Sequence, residues 1–229
     1  MSFIVNNTTL PNLLDLIAPH ICLGCGTIGK PICEKCKNYI MSEKCNICPN
    51  CRNTISTHKC PYCPNFPPSY IVGKRHGLLD ITIHTYKYNS NRSLAQPLAE
   101  LMYNRLKNDY RHAIIVPLPT ATNHIRQRGL DHTLLLAKHL AKLTSCQIQP
   151  VLHRNHNATQ VGADRITRLE QAEHAYSISP RFIVDPNTTY ILLDDIWTTG
   201  ASMKKAIEKM QKAGAKKIVV ALLAISQLK

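Results

Sequence analysis

Tyr190-Ile191-Leu192-Leu193-Asp194-Asp195-Ile196-Trp197-Thr198-Thr199-Gly200-Ala201-Ser202 is the stretch that decides the fold. An apolar run, Tyr190 to Leu193, reads as a buried strand and ends in two adjacent carboxylates. A tight Thr198-Thr199-Gly200 turn follows, and a helix is predicted to open at Ser202. Strand, loop and helix N-terminus together aim backbone N–H groups at one point, which makes an anion site. The two acids just before it accept hydrogen bonds from vicinal hydroxyls but repel a bare phosphate. Phosphate donors and diol acceptors a few residues apart suit a sugar phosphate. The plainer alternative is a turn begun by paired Asp, with Ser202 as an ordinary N-cap. The density of positions with separate chemical jobs favours the ligand site. Neither a Gly-x4-Gly-Lys-Ser/Thr string nor a GxGxxG pattern occurs, so the common nucleotide loops are excluded.

Outward from this stretch the chain alternates strand and helix. Ser202–Ala213 reads as a helix with Met203, Ala206, Ile207 and Met210 inward, Gly214 ends it, and 217–225 is a final strand. Upstream, 131–143 is an amphipathic helix and 113–118 a buried strand ending at Pro117-Leu118-Pro119. Residues 93–107 carry an apolar stripe at Leu94, Leu98, Leu101, Met102 and Leu106 and read as a helix, with Pro97 in its first turn. Ile81–Tyr88 alternates enough to be predicted as a strand. This order means an α/β domain around a parallel sheet, with ligands at the carboxyl ends of the strands.

The chain has 229 residues and 10 Cys, 9 of them between Cys22 and Cys63. Composition changes near residue 68, where Pro64, Pro67 and Pro68 suggest a linker, so the expected domains are 1–68 and 69–229. Cys22-x2-Cys25-x7-Cys33-x2-Cys36 is a pair of knuckles whose four sulfurs suit one tetrahedral Zn²⁺. Cys45, Cys48, Cys51, Cys60 and Cys63 offer five candidates for a second set. The favoured choice is Cys48/Cys51 with Cys60/Cys63, leaving Cys45 spare. Interleaved knuckles, and His20 or His58 as substitute ligands, remain open at this stage. All-Cys sites argue for structural rather than catalytic zinc, in a segment too short to build its own core.

No apolar run reaches the ~20 residues of a membrane helix, and no secretory signal is read at the N-terminus, so a cytoplasmic location is expected. Clustered CxxC pairs there mean metal rather than disulfide. The formal net charge is +14. Residues 69–229 carry 22 Lys/Arg against 11 Asp/Glu, so the larger domain holds most of it, consistent with a polyanionic ligand. Lys205, Lys209, Lys212 and Lys216 fall at helical spacing. A solvated face is the commoner meaning of such a stripe, and a track for single-stranded DNA the sharper one.

Asp194 to Ser202 closely resembles the phosphoribosyl-diphosphate (PRPP) motif of type I phosphoribosyltransferases. The resemblance extends along almost the whole chain. The Cys knuckles, Tyr86-Lys87-Tyr88, Val116-Pro117-Leu118-Pro119 with Arg126-x-Arg128-Gly129, Gln160-x-Gly162-x-x-Arg165-x-x-Arg168 and Asp194-Asp195 come in the order seen in the ComF/GntX (ComFC) family. That family joins an N-terminal zinc module to a phosphoribosyltransferase-like domain and is tied to DNA uptake in natural transformation. The resemblance implies a type I phosphoribosyltransferase-like fold behind a small zinc-ribbon module. It further implies that Asp194 and Asp195 hold the ribose hydroxyls while Thr198, Thr199, Gly200, Ala201 and Ser202 cradle the 5-phosphate. The two acids would serve catalysis in an enzyme, the alternatives being a non-catalytic PRPP sensor or a zinc-stabilised single-stranded-DNA-binding protein. Pro119, Thr120, Arg126 and Arg128 would meet the diphosphate, with Mg²⁺ bridging it. Implied partners are PRPP, single-stranded DNA and proteins of the uptake machinery, through which the protein would lie peripheral to the inner membrane. The chain departs from the family in two places. Arg128-Gly129-Leu130-Asp131-His132 stands where Arg-Gly-Phe-Asn-Gln is usual, and Leu169 to His174 lack two expected cations.

Overall fold

The computed structural model describes residues 19–89, 91–106, 110, 112–155 and 176–226. Five parallel strands form the central sheet: β3 (Ser69–Lys74), β4 (Ile114–Pro117), β5 (Gln147–Ile148), β8 (Thr189–Trp197) and β9 (Lys217–Ile225). Their spatial order is β3-β9-β8-β4-β5. The chain leaves β4 toward β5 at one edge, and leaves β8 in the opposite direction toward β9. The β4/β8 boundary is therefore the topological switch point, where an open α/β sheet leaves a crevice at its carboxyl end.

Both faces of the sheet are covered. On one lie the helices α2 (Gly77–Tyr88), α3 (Ala95–Leu106) and α5 (His132–Thr144), which bury Ile83, Tyr86, Leu98, Leu101, Leu136 and Leu140 against Ile191 and Leu193. On the other, α6 (Ala201–Lys212) buries Met203, Ala206, Ile207 and Met210 against Tyr190, Leu192 and Val220. At roughly 1.5–3 kcal/mol per fully buried aliphatic side chain, these two layers dominate the stability of the sheet. Alternation along β8 sends successive side chains to the two faces, which sets up opposite placements for the two acids that follow. A short antiparallel pair, β6 (Leu152–Arg154) with β7 (Tyr176–Ile178), completes this part of the fold.

Two readings of the sequence are corrected. Ile81–Tyr88 is not a strand but the body of α2, which buries Leu79, Thr82, Ile83 and Tyr86 at helical spacing. Its Ile and Tyr residues alternate by coincidence, and β-branching there misled. The edge strand lies earlier, at β3, a Ser-Tyr-Ile-Val-Gly-Lys run paired along β9. The expected strand end at the acids also moves, because β8 continues through Asp194 and Asp195 to Trp197. Elsewhere α3 begins at Ala95 with Pro97 in its first turn, and α5 is capped by the Asp131 carboxylate, which accepts from Leu134 N–H. Gln160, Gly162, Arg165, Arg168 and the stretch to His174 lie outside the described residues.

The cysteine-rich segment holds β1 (His20–Ile21), β2 (Ile28–Gly29) and α1 (Glu34–Ser42) and packs on the sheet domain. Cys22, Ile32, Cys36 and Ile40 join the core beneath α2 and α3. Arg105 of α3 donates to the carbonyls of Met41, Glu43 and Val72, stitching the end of α1 to β3. The proline-rich stretch is docked rather than loose. Pro67 is buried, and the Pro68 carbonyl accepts from Val220 N–H at 2.9 Å.

Candidate functional site

The crevice is built by the ends of β4 and β8. Their pairing stops at Pro117 and Leu193, after which Leu118 N–H still donates to the Leu193 carbonyl. Beyond that point β8 pairs only with β9, with Asp194 opposite Leu222. The flank of Asp194 toward β4 is thus unpaired by strand. Here the two acids separate. Asp195 turns toward α2 and ion-pairs with Lys87, Nζ to Oδ2 at 2.6 Å. Asp194 turns the other way and accepts from Asp195 N–H at 2.8 Å. Desolvation by the crevice walls, then the charge of Asp195, raise the Asp194 carboxyl to about 8.

Asp194 lines one small cup with Thr198, Thr199, Gly200, Ala201 and Ser202. Its volume, about 50 Å³, has room for a few water molecules, the scale of a single phosphate group. Gly200 caps α6 from the left-handed region (φ 77°) and offers no side chain to its N–H groups. The first turn of the helix is therefore left to a ligand or to water. Glycine is also forced by space, since a Cβ at Gly200 would lie 2.1 Å from the Trp197 ring. Ser202 hydrogen-bonds the buried Tyr176 of β7, and Ala201 N–H meets Thr199 Oγ1 at 3.4 Å.

Across the crevice, Thr120 Oγ1 donates to Asp131 Oδ1 at 3.0 Å, which ties the loop after β4 to the start of α5. The departure at Asp131 thus acts as a helix cap and loop anchor. Arg126 and Arg128 fall in the last turn of a short helix, α4 (Thr122–Arg128). Arg128 sits 4.8 Å from the centroid of the Tyr88 ring, beside Lys87, whereas Arg126 is exposed. Tyr86 donates to the His132 carbonyl at 2.7 Å, and its ring meets the His132 imidazole edge-on. Lys87 was missed as a site residue. Its signal was the Tyr86-Lys87-Tyr88 string, which gives a cation flanked by two aromatic anchors.

Two groups of four thiols stand apart from the crevice. Cys22, Cys25, Cys33 and Cys36 form one and Cys48, Cys51, Cys60 and Cys63 the other, each with all sulfurs within 4.8 Å of one another. Cys25–Cys33 and Cys51–Cys60 sulfurs lie 3.6 Å apart. A tetrahedral Zn²⁺ with Zn–S of about 2.3 Å holds its sulfurs about 3.8 Å apart, so both donor sets fit. Burial opposes ionisation of Cys22, but the N–H groups of Cys33, Cys25 and Gly24 overcome it and bring that thiol to about 6. Asn53 N–H does the same for Cys51, at about 7. Hydrogen bonding to Thr27 also lowers Cys25, so each group holds at least one sulfur already disposed to be a thiolate. Cys45 packs against the second core cluster, where burial raises its pKa. His58 stacks on Tyr70, and neither it nor His20 joins either group.

The class the fold defines is an α/β protein with a five-stranded parallel sheet, two four-cysteine sets near its N-terminus and a small cup at a helix N-terminus beside paired acids. No family model matches the sequence. Competence protein F of Haemophilus influenzae is 27% identical over 158 residues, which cover 66% of this chain and 69% of that protein. This likeness supports a place in the ComF family.

Proposed function

We propose that the crevice binds PRPP and that the protein serves competence as a phosphoribosyltransferase-like component of DNA uptake. The observation that carries this reading is that Asp194 shares one phosphate-sized cup with Thr198–Ser202. A carboxylate at the rim of an anion site repels phosphate but accepts from a diol, so the pair selects a phosphorylated sugar over free phosphate. The 5-phosphate would lie on the N–H groups of Thr199 to Ser202, as binding energy placed away from the reacting carbon. Arg128 and Lys87 rim the side where a diphosphate would leave, and guanidinium suits that group. Mg²⁺, a hard cation with oxygen ligands, would bridge and neutralise the diphosphate. Once diphosphate departs, the Asp195 carboxylate, and Asp194 where it is ionised, would favour the positive charge that develops on the ribose.

Zinc held by Cys22, Cys25, Cys33 and Cys36, and by Cys48, Cys51, Cys60 and Cys63, would supply folding free energy to a segment with little core. Among the described residues no helix is long and apolar enough to cross a membrane. The name of the Haemophilus relative supports the competence role, and the phosphate cup supports PRPP.

Calorimetric titration of the zinc-replete protein with PRPP, with and without Mg²⁺, tests the site. The same samples are then assayed for pyrophosphate. Mg²⁺-dependent saturable binding is expected, and its absence would refute the reading. Pyrophosphate release above the buffer rate identifies an enzyme, whereas binding without release identifies a PRPP sensor or an enzyme lacking its acceptor.

A further inference from the structure

The two cysteine knuckles share one backbone plan. Gly26 N–H donates to the Cys22 carbonyl and Arg52 N–H to the Cys48 carbonyl, both at 2.9 Å. Cys22 N–H donates to Thr27 and Cys48 N–H to Asn53, again at 2.9 Å each. At the fifth position both chains enter the left-handed region, with φ 74° at Gly26 and 65° at Arg52. Glycine does so freely, whereas a side chain there costs about 1 kcal/mol. Arg52 and Ser145 are the non-glycine residues at positive φ among those described. The second knuckle therefore carries an arginine where its twin shows that glycine serves. Such an outlier points to a function for the side chain.

The Arg52 side chain leaves its own module. Nη1 donates to the Ser226 carbonyl at 2.9 Å and Nη2 to the Thr198 carbonyl at 3.1 Å. Ser226 N–H in turn donates to the Trp197 carbonyl at 2.8 Å. One guanidinium thus spans the end of β9 and the first residue of the loop that forms the cup. In a trans peptide the carbonyl and the following N–H point in opposite directions, so Thr198 C=O fixed on Arg52 directs Thr199 N–H away from the knuckle. Phe66 supplies a second contact from the same module, meeting the Trp197 ring edge-on at 5.7 Å.

We propose that Arg52 is a positioning residue for the phosphate cup, and that metal held by Cys48, Cys51, Cys60 and Cys63 is thereby linked to binding of a phosphorylated sugar. The inference rests on the reading of the cup as a phosphate site. Coupling between two sites is reciprocal, so whatever the knuckle contributes to ligand affinity, the ligand returns to metal retention.

Arg52→Gly isolates the effect, because glycine suits φ 65° and leaves the knuckle backbone unstrained. Zinc-loaded Arg52→Gly is expected to match the parent in zinc content and in zinc loss to a chelator without ligand. Its affinity for ribose 5-phosphate should fall about tenfold, within the usual range for coupled sites. Ribose 5-phosphate should slow zinc loss from the parent protein but not from the variant. Arg52→Lys, one ammonium against two carbonyls, should fall between. Parental affinity in Arg52→Gly, or equal slowing of zinc loss in both proteins, overturns the inference alone. Failure of the parent protein to bind ribose 5-phosphate overturns the reading of the cup and the inference with it.

Discussion

The Lys87 ammonium and the Asp195 carboxylate close on each other at 2.6 Å in the mouth of the crevice, each side chain 13% exposed. The cation neutralises the carboxylate that a ribose diol would need, and stands beside Arg128 on Tyr88. Lys87→Met should leave Asp195 charged and unpaired, lowering stability by about 3 kcal/mol, the usual cost of halving a buried pair. PRPP should lose at least tenfold in affinity, and ribose 5-phosphate, which lacks the diphosphate, much less. Thermal melts and parallel titrations with the two ligands measure both effects. Equal losses for both ligands would remove Lys87 from the diphosphate side.

Asp194 gives a pH dependence of known sign. Its folded pKa of about 8 lies above the ordinary carboxylate value, so the native state holds a proton that the unfolded chain has lost. Stability should therefore fall as pH rises from about 4 toward 8, and Asp194→Asn should gain several kcal/mol, at most about 5, at pH 8 and nothing near pH 3. Diol binding needs the carboxylate, so PRPP affinity should climb between pH 6.5 and 8.5 in the parent protein. Melts of parent and variant across pH 3 to 9, with titrations at three pH values, check both signs. A variant less stable than its parent at pH 8 would contradict the assignment.

Cysteine substitution should separate the two four-cysteine groups as zinc sites. Metal analysis should find two zinc ions per chain in the parent and one in Cys22→Ser or Cys51→Ser. Cys22 lies 2% exposed in the main core, so its loss should lower the melting temperature of the whole protein. Cys51 makes no such core contribution, and its loss should act mainly on the cup. Two zinc ions in either variant would refute that ligand set.

The lysine stripe has a weaker claim. Lys212 pairs with Glu208 in the same helix, and Lys205 and Lys209 also act on that carboxylate, so part of the positive field is spent locally. If the face tracks single-stranded DNA, changing Lys205, Lys209, Lys212 and Lys216 to Ala should weaken binding. Its salt dependence should flatten by about 0.7 for each phosphate no longer neutralised. Unchanged affinity and slope across a salt series would return the stripe to a solvated face.

Much of this was legible because it is local. The apolar run before Asp194, the glycine after Thr199 and the CxxC spacings each fix their own backbone within a few residues. What failed was where two periods fit the same letters, as in Ile81–Tyr88, and where a short edge strand depends on its partner, as in Ser69–Lys74 on β9. The contacts of Lys87 and Arg52 were not legible for another reason. Lys87 lies 108 positions from Asp195, and Arg52 lies 146 from Thr198, so only the folded sheet brings them together.

Trp197 is the one tryptophan of the chain, 2% exposed, with its ring against Gly200 and Phe66. The protein therefore carries a native optical probe at the junction of crevice and knuckle. Any event that loosens the Thr198–Ser202 turn must change the surroundings of that indole. Its emission can report ligand capture and zinc loss in one cuvette without a label.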